Sequence, residues 1–391
     1  MIVVTAARIA ALKGSNCLLA RVAGDEFVIL IEGPDARAQV ERLAQAIDRS
    51  FDAAFDLMGH HIQLQAAIGY AVQDADGMAG SDLVRQADLA MYEGKRLKER
   101  GPVAFSAMME EASHNALLVE GALRAALLTS PGEISVAYQP IVTPDGQFRH
   151  AEALVRWSSA EHGQVPPSRF VAVAEKAGLI VALGRIVLDH VCDDLRDHPA
   201  LRVSLNVSAL QLAAPDFIAD LAASLGARSI DPARIEIELT ETVLIRNPIL
   251  AARHLQQLQA AGFSIALDDF GTGYSSMAYL DQLSFDTLKV DRSFVSRVRL
   301  SPKRYALLRA MIQMAHDLDL RVVCEGVEAA EDLRLMRELG SDLVQGYHVD
   351  RPMRIGDLAS RWLTLEGERA AARRLEVGCA DLPASGHETA A

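Results

Sequence analysis

Seven short apolar runs in the second half of the chain each close on side chains that can bind a metal or move a proton. They are FRHAEALVRW, LRVSLNVS, RIEIELTE, FSIALDDFGTG, FDTLKVD, LRVVCEGVE and LVQGYHVDRPM. Their endings supply Glu152, Asn206, Glu238, Asp268, Asp269, Lys289, Asp291, Glu325 and Gln345. Carboxylates joined by one amide oxygen suit hard divalent cations such as Mg2+ or Mn2+. Metals held this way commonly act on phosphate esters. The leading expectation is a metal-dependent phosphodiesterase.

Each ending also has an ordinary alternative. A glutamate left unpaired on an apolar strand is costly, so Glu152 could be a salt-bridged core residue; its acidic company favours function. Arg156 could clamp a phosphate through its planar fork or simply face solvent. Asn206 offers an amide oxygen to a cation, though asparagine also ends strands as a turn residue. In IEIELTE the alternation puts Glu236 and Glu238 on one face and Ile235, Ile237 and Leu239 on the other, with Glu238 nearer the rim. Glu241 falls in the turn beyond, where it could also support a helix N-terminus. Asp268 and Asp269 are adjacent carboxylates that would repel strongly without a cation. The Gly271-x-Gly273 sequence after them lets backbone approach a ligand. Lys289 and Asp291 share a strand face; the lysine could steady an attacking hydroxide or a phosphate oxygen, or form a structural ion pair. Glu325 is a candidate base, Glu328 a supporting acid, and Gln345 could hold a water or a base edge.

Side chains this far apart in sequence need a scaffold that gathers them. Helix-like stretches separate the runs, and parallel barrels build their sites at the carboxyl ends of their strands. The stretch 133–366 has the length of about eight strand-helix units. Residues 1–105 read as a smaller α/β piece. There CLLARVAGDEFVILIEG suggests a hairpin, ARAQVERLAQAIDRSFDAAF a helix and IQLQAAIGYAV a strand. A second helix over SDLVRQADLAMYEGKRLKER stops at Gly101 and Pro102. Residues 106–132 read as a helical connector. The Ala-rich polar tail, 367–391, is expected to end in disorder.

Composition narrows the partners. The chain has 391 residues, is 50% hydrophobic and carries a net charge of −13. That balance argues against a long nucleic acid polymer, which calls for a basic face. A small anionic substrate stays possible, because bound metals can reverse the local field. Cys17, Cys192, Cys324 and Cys379 are scattered with no Cys-x-x-Cys pair, as expected of reduced thiols in a cytoplasmic protein. Cys324 points away from its neighbour Glu325 and reads as core. The histidines form no metal-spaced set. No apolar stretch reaches the roughly 20 residues of a membrane span. The opening MIVVTAARIAALKG lacks a clear basic start and reads as part of a helix rather than a signal peptide.

Taken in order, Glu152-Ala153-Leu154, NVS, ELTE, DDFGTGYSS, KVD, EGVE and QGY resemble the EAL family of cyclic di-GMP phosphodiesterases, over about residues 117–362. The resemblance implies an α/β fold: a TIM-like (β/α)8 barrel of the EAL type with one strand antiparallel. It implies hydrolysis of cyclic di-GMP to linear pGpG with two Mg2+ or Mn2+ ions. By position, Glu152, Asn206, Glu238, Asp268 and Asp269 match the metal ligands. Lys289 matches a contact to the catalytic water, and Glu325 the glutamate proposed as general base or as a water-mediated metal ligand. Gln139, Leu154, Arg156, Asp291 and Gln345 fall with the substrate contacts, Glu241 with the anchor of the DDFGTGYSS loop and Glu328 with a supporting acid. No member of the set is missing, which favours an enzyme over a catalytically idle cyclic di-GMP receptor, the alternative reading. The family also implies a homodimer, which light scattering would report as twice the chain mass.

Residues 1–105 resemble the later part of a GGDEF (diguanylate cyclase) domain. RVAGDEF stands where GGDEF would be, with Ala23 in place of the first glycine, and ADLAMYEGKRLKERG resembles the closing helix. The chain is expected to begin after the family's first strand, with its metal-binding aspartate. GSNC, Gly14 to Cys17, replaces the inhibitory RxxD motif. Diguanylate cyclase activity is not expected from this truncated, degenerate domain.

Overall fold

The computed structural model describes residues 1–57, 60–73, 79–97, 101–241, 243, 248–271, 283–364 and 375. Cys379, most of the tail and the TGYSS part of DDFGTGYSS therefore lie outside the described residues. The chain forms two compact units, Met1–Leu118 and Val119–Ala391. Helix Ala107–Thr129 spans the division, and its Val119, Leu123 and Ala126 are buried in the core of the second unit.

In the first unit, helix Ile2–Ala10 occupies the opening stretch. Strands Cys17–Ala23 and Glu26–Ile31 form the hairpin, with Gly24 at its tip (φ +43°). Ile9, Cys17, Leu43, Ile47, Phe51 and Phe55 make its core. Arg8 lies 3.4 Å over the Phe55 ring and donates to the carbonyls of Ser50, the last residue of helix Ala36–Ser50, and of Ala53 and Ala54 beyond it. A cation at a helix carboxyl end is favoured by the helix dipole. The strand expected over IQLQAAIGYAV is largely absent as a ladder: only His60–Ile62 and Gly69–Tyr70 pair. Leu64, Ala66 and Ile68 still pack on the core cluster. Alternation recorded their burial, while a strand also needs a paired backbone.

The second unit closes eight strands into a barrel: β1 (Ile134–Val142), β2 (Phe148–Ser159), β3 (Val203–Asn206), β4 (Ile235–Thr240), β5 (Ser264–Phe270), β6 (Thr287–Val290), β7 (Arg321–Cys324) and β8 (Leu343–Val344). Parallel pairing runs from β2 through β8, and β3 pairs back on β2. β1 runs antiparallel to both β2 and β8 and completes the ring. Strand Gly163–Val165 adds to β2 outside it. The seven apolar runs hold β2 to β8. The remaining strand, β1 (ISVAYQPIV), lacks a polar ending and carries its glutamine in mid-strand.

Strand alternation divides the interior from the helix-facing layer. Ile235, Ile237 and Leu239 of β4 join the large core beneath the helices, as do Val322 and Cys324 of β7 and Val344 of β8. Their in-between neighbours face the barrel axis. On β1, β7 and β8 these are Ile141, Val323 and Leu343, a small apolar cluster of their own. The opposite wall is polar and contains the site. Two aspartates tie strand entrances together: Ile265 N donates to Asp286 Oδ2 and Val322 N to Asp342 Oδ2, each at 2.8 Å.

Candidate active site

Lys289, inward on β6 and 1% exposed, is the centre of the polar wall. Its Nζ lies 2.8 Å from Glu238 Oε2, 2.8 Å from Glu325 Oε1, 3.3 Å from Asp268 Oδ1 and 3.7 Å from Glu152 Oε2. Four acids from four strands or strand ends thus meet one ammonium group. Asn206 Nδ2 donates to Glu152 Oε1 at 2.6 Å, and Gln345 Nε2 to Glu152 Oε2 at 2.7 Å. Gln139 accepts from Gln345 at 3.1 Å, as its registry with Glu152 across β1 and β2 allows.

The electrostatics follow from one cation among many anions. Burial alone would push the Lys289 pKa down, but the attraction of Glu152, Glu238, Glu325 and Asp268 outweighs it and holds it well above the ordinary lysine value. Burial also raises Glu152, yet Lys289 and the donors Gln345 and Asn206 bring it below the usual carboxylate range. Glu238 goes the other way: burial, with the negative charge of Glu152 and Asp268, lifts it well above that range despite Lys289. Glu325 is pushed up to about 8, first by burial and then by Asp268 and Glu152. Negative charge is in excess here, and a buried site relieves such an excess by protonation or by taking up a cation.

The adjacent aspartates depend on a local irregularity. The β5–β6 register shifts between Leu267 and Phe270, and Asp269 adopts φ +55°. In a regular strand two neighbours face opposite sides; a bulge re-aims one of them. Asp269 N donates to Asp268 Oδ1 at 2.9 Å. The Asp269 carboxyl is pushed up to about 6 by partial desolvation at the rim and by Asp268 and Asp291. Just beyond, Gly271 (φ +95°) donates its N–H to Glu241 Oε1 at 2.9 Å. Glu241 thereby holds the first turn of the DDFGTGYSS loop.

Not every expected residue joins the cluster. Arg156 is half-buried, makes no ion pair among the described residues, and donates Nη1 to its neighbour's carbonyl, that of Val155. Leu154 is half-buried two residues beyond Glu152 on β2. Asp291 caps helix Arg292–Val295 by accepting from Ser293 N at 2.9 Å. Glu328 is exposed. Glu152 is not a strand-end residue either, because β2 runs on to Ser159 while paired with the antiparallel β1.

Sequence reasoning passed over a second polar layer below the first. Thr287 Oγ1 donates to Glu236 Oε2 at 2.8 Å, and Arg321 Nη2 reaches the same oxygen at 3.4 Å. His150 Nε2 stands 3.7 Å from Glu236 Oε1. The period-2 spacing of Glu236 and Glu238, and of Thr287 and Lys289, is the sequence trace of these two layers.

Gly346, next to Gln345, shows how tightly this end of the barrel is built. A Cβ placed there would sit 2.1 Å from the Val327 carbonyl oxygen and 2.3 Å from the Val327 nitrogen. Backbone cannot step aside as a side chain can. Gly346→Ala should destabilise the protein by about 1–3 kcal/mol or more, read as an earlier urea midpoint. An unchanged midpoint would contradict this close approach.

A divalent metal fits the residue set. The donors are oxygens, negative charge is in excess, and Glu238 Oε1 is buried with no hydrogen-bond partner among the described residues. Among those residues no three acid, imidazole or thiol groups stand at coordination spacing. The acids instead converge on Lys289, so the cage expected from sequence is here a ring drawn around an ammonium.

A TIM-type barrel with an acid-ringed lysine at the carboxyl ends of its strands defines the class. The family described as "EAL domain" matches residues 120–352, and the chain belongs to that family. The family described as "Diguanylate cyclase, GGDEF domain" matches residues 1–100. Among curated relatives, the chain is 33% identical over 359 residues to the bifunctional diguanylate cyclase/cyclic di-GMP phosphodiesterase MucR of Pseudomonas aeruginosa, covering 90% of this chain and 52% of that protein. It is 35% identical over 340 residues to the cyclic di-GMP phosphodiesterase PdeR of Escherichia coli, covering 86% and 51%. The chain thus spans about half the length of these relatives. Among solved structures, the PaMucR phosphodiesterase in complex with c-di-GMP is 35% identical with a TM-score of 0.59, over 62% of this chain and 99% of that one. No helix among the described residues is long and apolar enough to cross a membrane.

Proposed function

We propose that the protein is a metal-dependent phosphodiesterase that hydrolyses cyclic di-GMP to linear pGpG. The observation that carries this is the buried meeting of Glu152, Glu238, Asp268 and Glu325 around Lys289. The names of its relatives support the choice of substrate.

Glu152, Asn206, Glu238, Asp268 and Asp269 are the residues that would hold two Mg2+ or Mn2+ ions. Such ions, when bound, stabilise charge on phosphate oxygens and lower the pKa of water. The chain's own groups supply the rest. Arg156 offers its fork to a phosphate. Gln139, Leu154 and Gln345 line the place of the dinucleotide. Lys289 holds one oxygen of Glu325 and so fixes its direction. Glu325 takes a proton from the attacking water as the water oxygen bonds to phosphorus. The bond from phosphorus to one ribose oxygen breaks, and that oxygen takes a proton from solvent to become a hydroxyl while Glu325 later returns its own to solvent. Glu241, through Gly271, holds the start of the loop that follows Asp268 and Asp269. No cyclase chemistry is assigned to residues 1–100, where Ala23 replaces a motif glycine.

The test is incubation of the full chain with cyclic di-GMP, with Mg2+ or with chelator, followed by chromatography of the products. The expected result is pGpG with Mg2+ and none with chelator. Cyclic di-GMP recovered intact from a protein that binds it would overturn hydrolysis and make the protein a receptor. Cyclic di-AMP and cyclic AMP run in parallel test the choice of nucleotide.

A further inference from the structure

Glu152 is joined to helix Ile355–Trp362 by a run of hydrogen bonds that passes through the backbone and side chain of Asp350. Gln345 Nε2 donates both to Glu152 Oε2, at 2.7 Å, and to Gln139 Oε1, at 3.1 Å. Gln139 Nε2 donates onward to the Asp350 backbone carbonyl at 3.1 Å. The Asp350 carboxylate is gripped from helix Ile355–Trp362: Trp362 Nε1 donates to Oδ2 and Arg361 Nη1 to Oδ1, each at 3.2 Å. Tyr138 and Met353 exchange backbone hydrogen bonds at 2.7 and 2.9 Å, which pins this segment beside Gln139.

Chemistry fixes the sense of the run. A carboxylate and a backbone carbonyl can only accept, so each end demands an amide N–H. Gln345 must then turn its nitrogen to Glu152, and Gln139 its nitrogen to Asp350. Between them a single arrangement remains, Gln139 oxygen against Gln345 nitrogen. Trp362 is 1% exposed, and its indole N–H takes the Asp350 carboxylate as acceptor. Asp350 lies in the last apolar run but outside its QGY motif, and Trp362 lies beyond the runs altogether.

We propose that Asp350 and Trp362 are positioning residues: through Gln139 and Gln345 they set the orientation of Glu152, and displacement of helix Ile355–Trp362 is felt at that carboxylate. The proposal rests on the reading of Glu152 as part of the reacting site. Without its side-chain anchor the Asp350 carbonyl can turn, Gln139 loses its acceptor, and Glu152 loses a directed donor.

The test uses the full chain and two readouts. Asp350→Ala should lower kcat roughly 10-fold, the low end of the cost of removing groups that orient ligands, with KM little changed. Asp350→Asn should restore most of it, because an amide oxygen can still accept from Trp362. Glu133→Ala is the control. It removes the acceptor of the other buried indole, Trp157, whose Nε1 lies 3.0 Å from Glu133 Oε2. It should lower the melting midpoint and leave kcat unchanged. The chain has two tryptophans, so its NMR spectrum carries two indole N–H signals, assigned with Trp157→Phe. Mg2+ alone should move the Trp362 signal and not that of Trp157, and Asp350→Ala should abolish the response. Wild-type kcat in Asp350→Ala, or equal losses in Asp350→Ala and Glu133→Ala, would overturn the proposal. If the unaltered protein leaves cyclic di-GMP intact, the functional reading falls. The run is then judged on the indoles alone, and a Trp362 signal unmoved by Mg2+ overturns it.

Discussion

Lys289→Met should abolish turnover of cyclic di-GMP and also loosen the fold when divalent metal is withheld. The ammonium is the shared counter-charge of Glu152, Glu238, Asp268 and Glu325. Two unit charges 4 Å apart interact by about 4 kcal/mol at an effective dielectric of about 20. Removing one partner of a buried ion pair typically costs about 3–5 kcal/mol, because the other is left uncompensated. Here several acids are left together, and some would take up protons to relieve the repulsion. The expected result is a urea midpoint shifted down in chelator and partly recovered with Mg2+, which replaces the lost positive charge. Activity should fall at least about 10³-fold, because Glu325 loses the group that fixes it. A variant as stable as the parent in chelator would show that the acids do not depend on Lys289.

The second large effect separates chemistry from folding. Glu152→Gln and Glu325→Gln keep the size of each side chain and remove its charge. Glu152→Gln leaves Lys289 three other acids, and Glu325→Gln does the same, so neither variant strands a buried charge. Melting midpoints should stay close to the parent's. Turnover should fall by about 10²–10⁴ in Glu325→Gln, the usual worth of a positioned general base. In Glu152→Gln it should fall by about 10²–10³, as when one preorganised electrostatic contact is lost. Product chromatography and thermal melts on the same preparations check both statements. Near-parental turnover in either variant would remove that residue from the proposed site.

The barrel was legible because its strands carry their own signature: a short apolar run, then a polar rim residue, repeated. β1 was harder to read because its buried polar inward residue, Gln139, lies in mid-strand. The strand expected at IQLQAAIGYAV shows the opposite error, alternation without pairing. At the site, the types of Glu152, Glu238, Asp268, Lys289 and Glu325 were plain from the chain. Their arrangement was not: the expectation was acids facing a metal cage, and the structure gathers them first around Lys289. Asp291 and Glu328 were included by motif, yet one caps a short helix and the other is exposed.

Residue type and spacing are local properties, so the linear order alone determined which groups can ionise and which strand face they share. The partner of a charge is a matter of distance between strands remote in sequence. Asp350 makes the point. In the chain it is one acid after QGYHV. Only closure of β1 against β8 puts its carbonyl on Gln139, and only the packing of helix Ile355–Trp362 puts an indole on its carboxylate. Hydrogen bonds act over about 3 Å, and it was the fold that brought these groups within that reach.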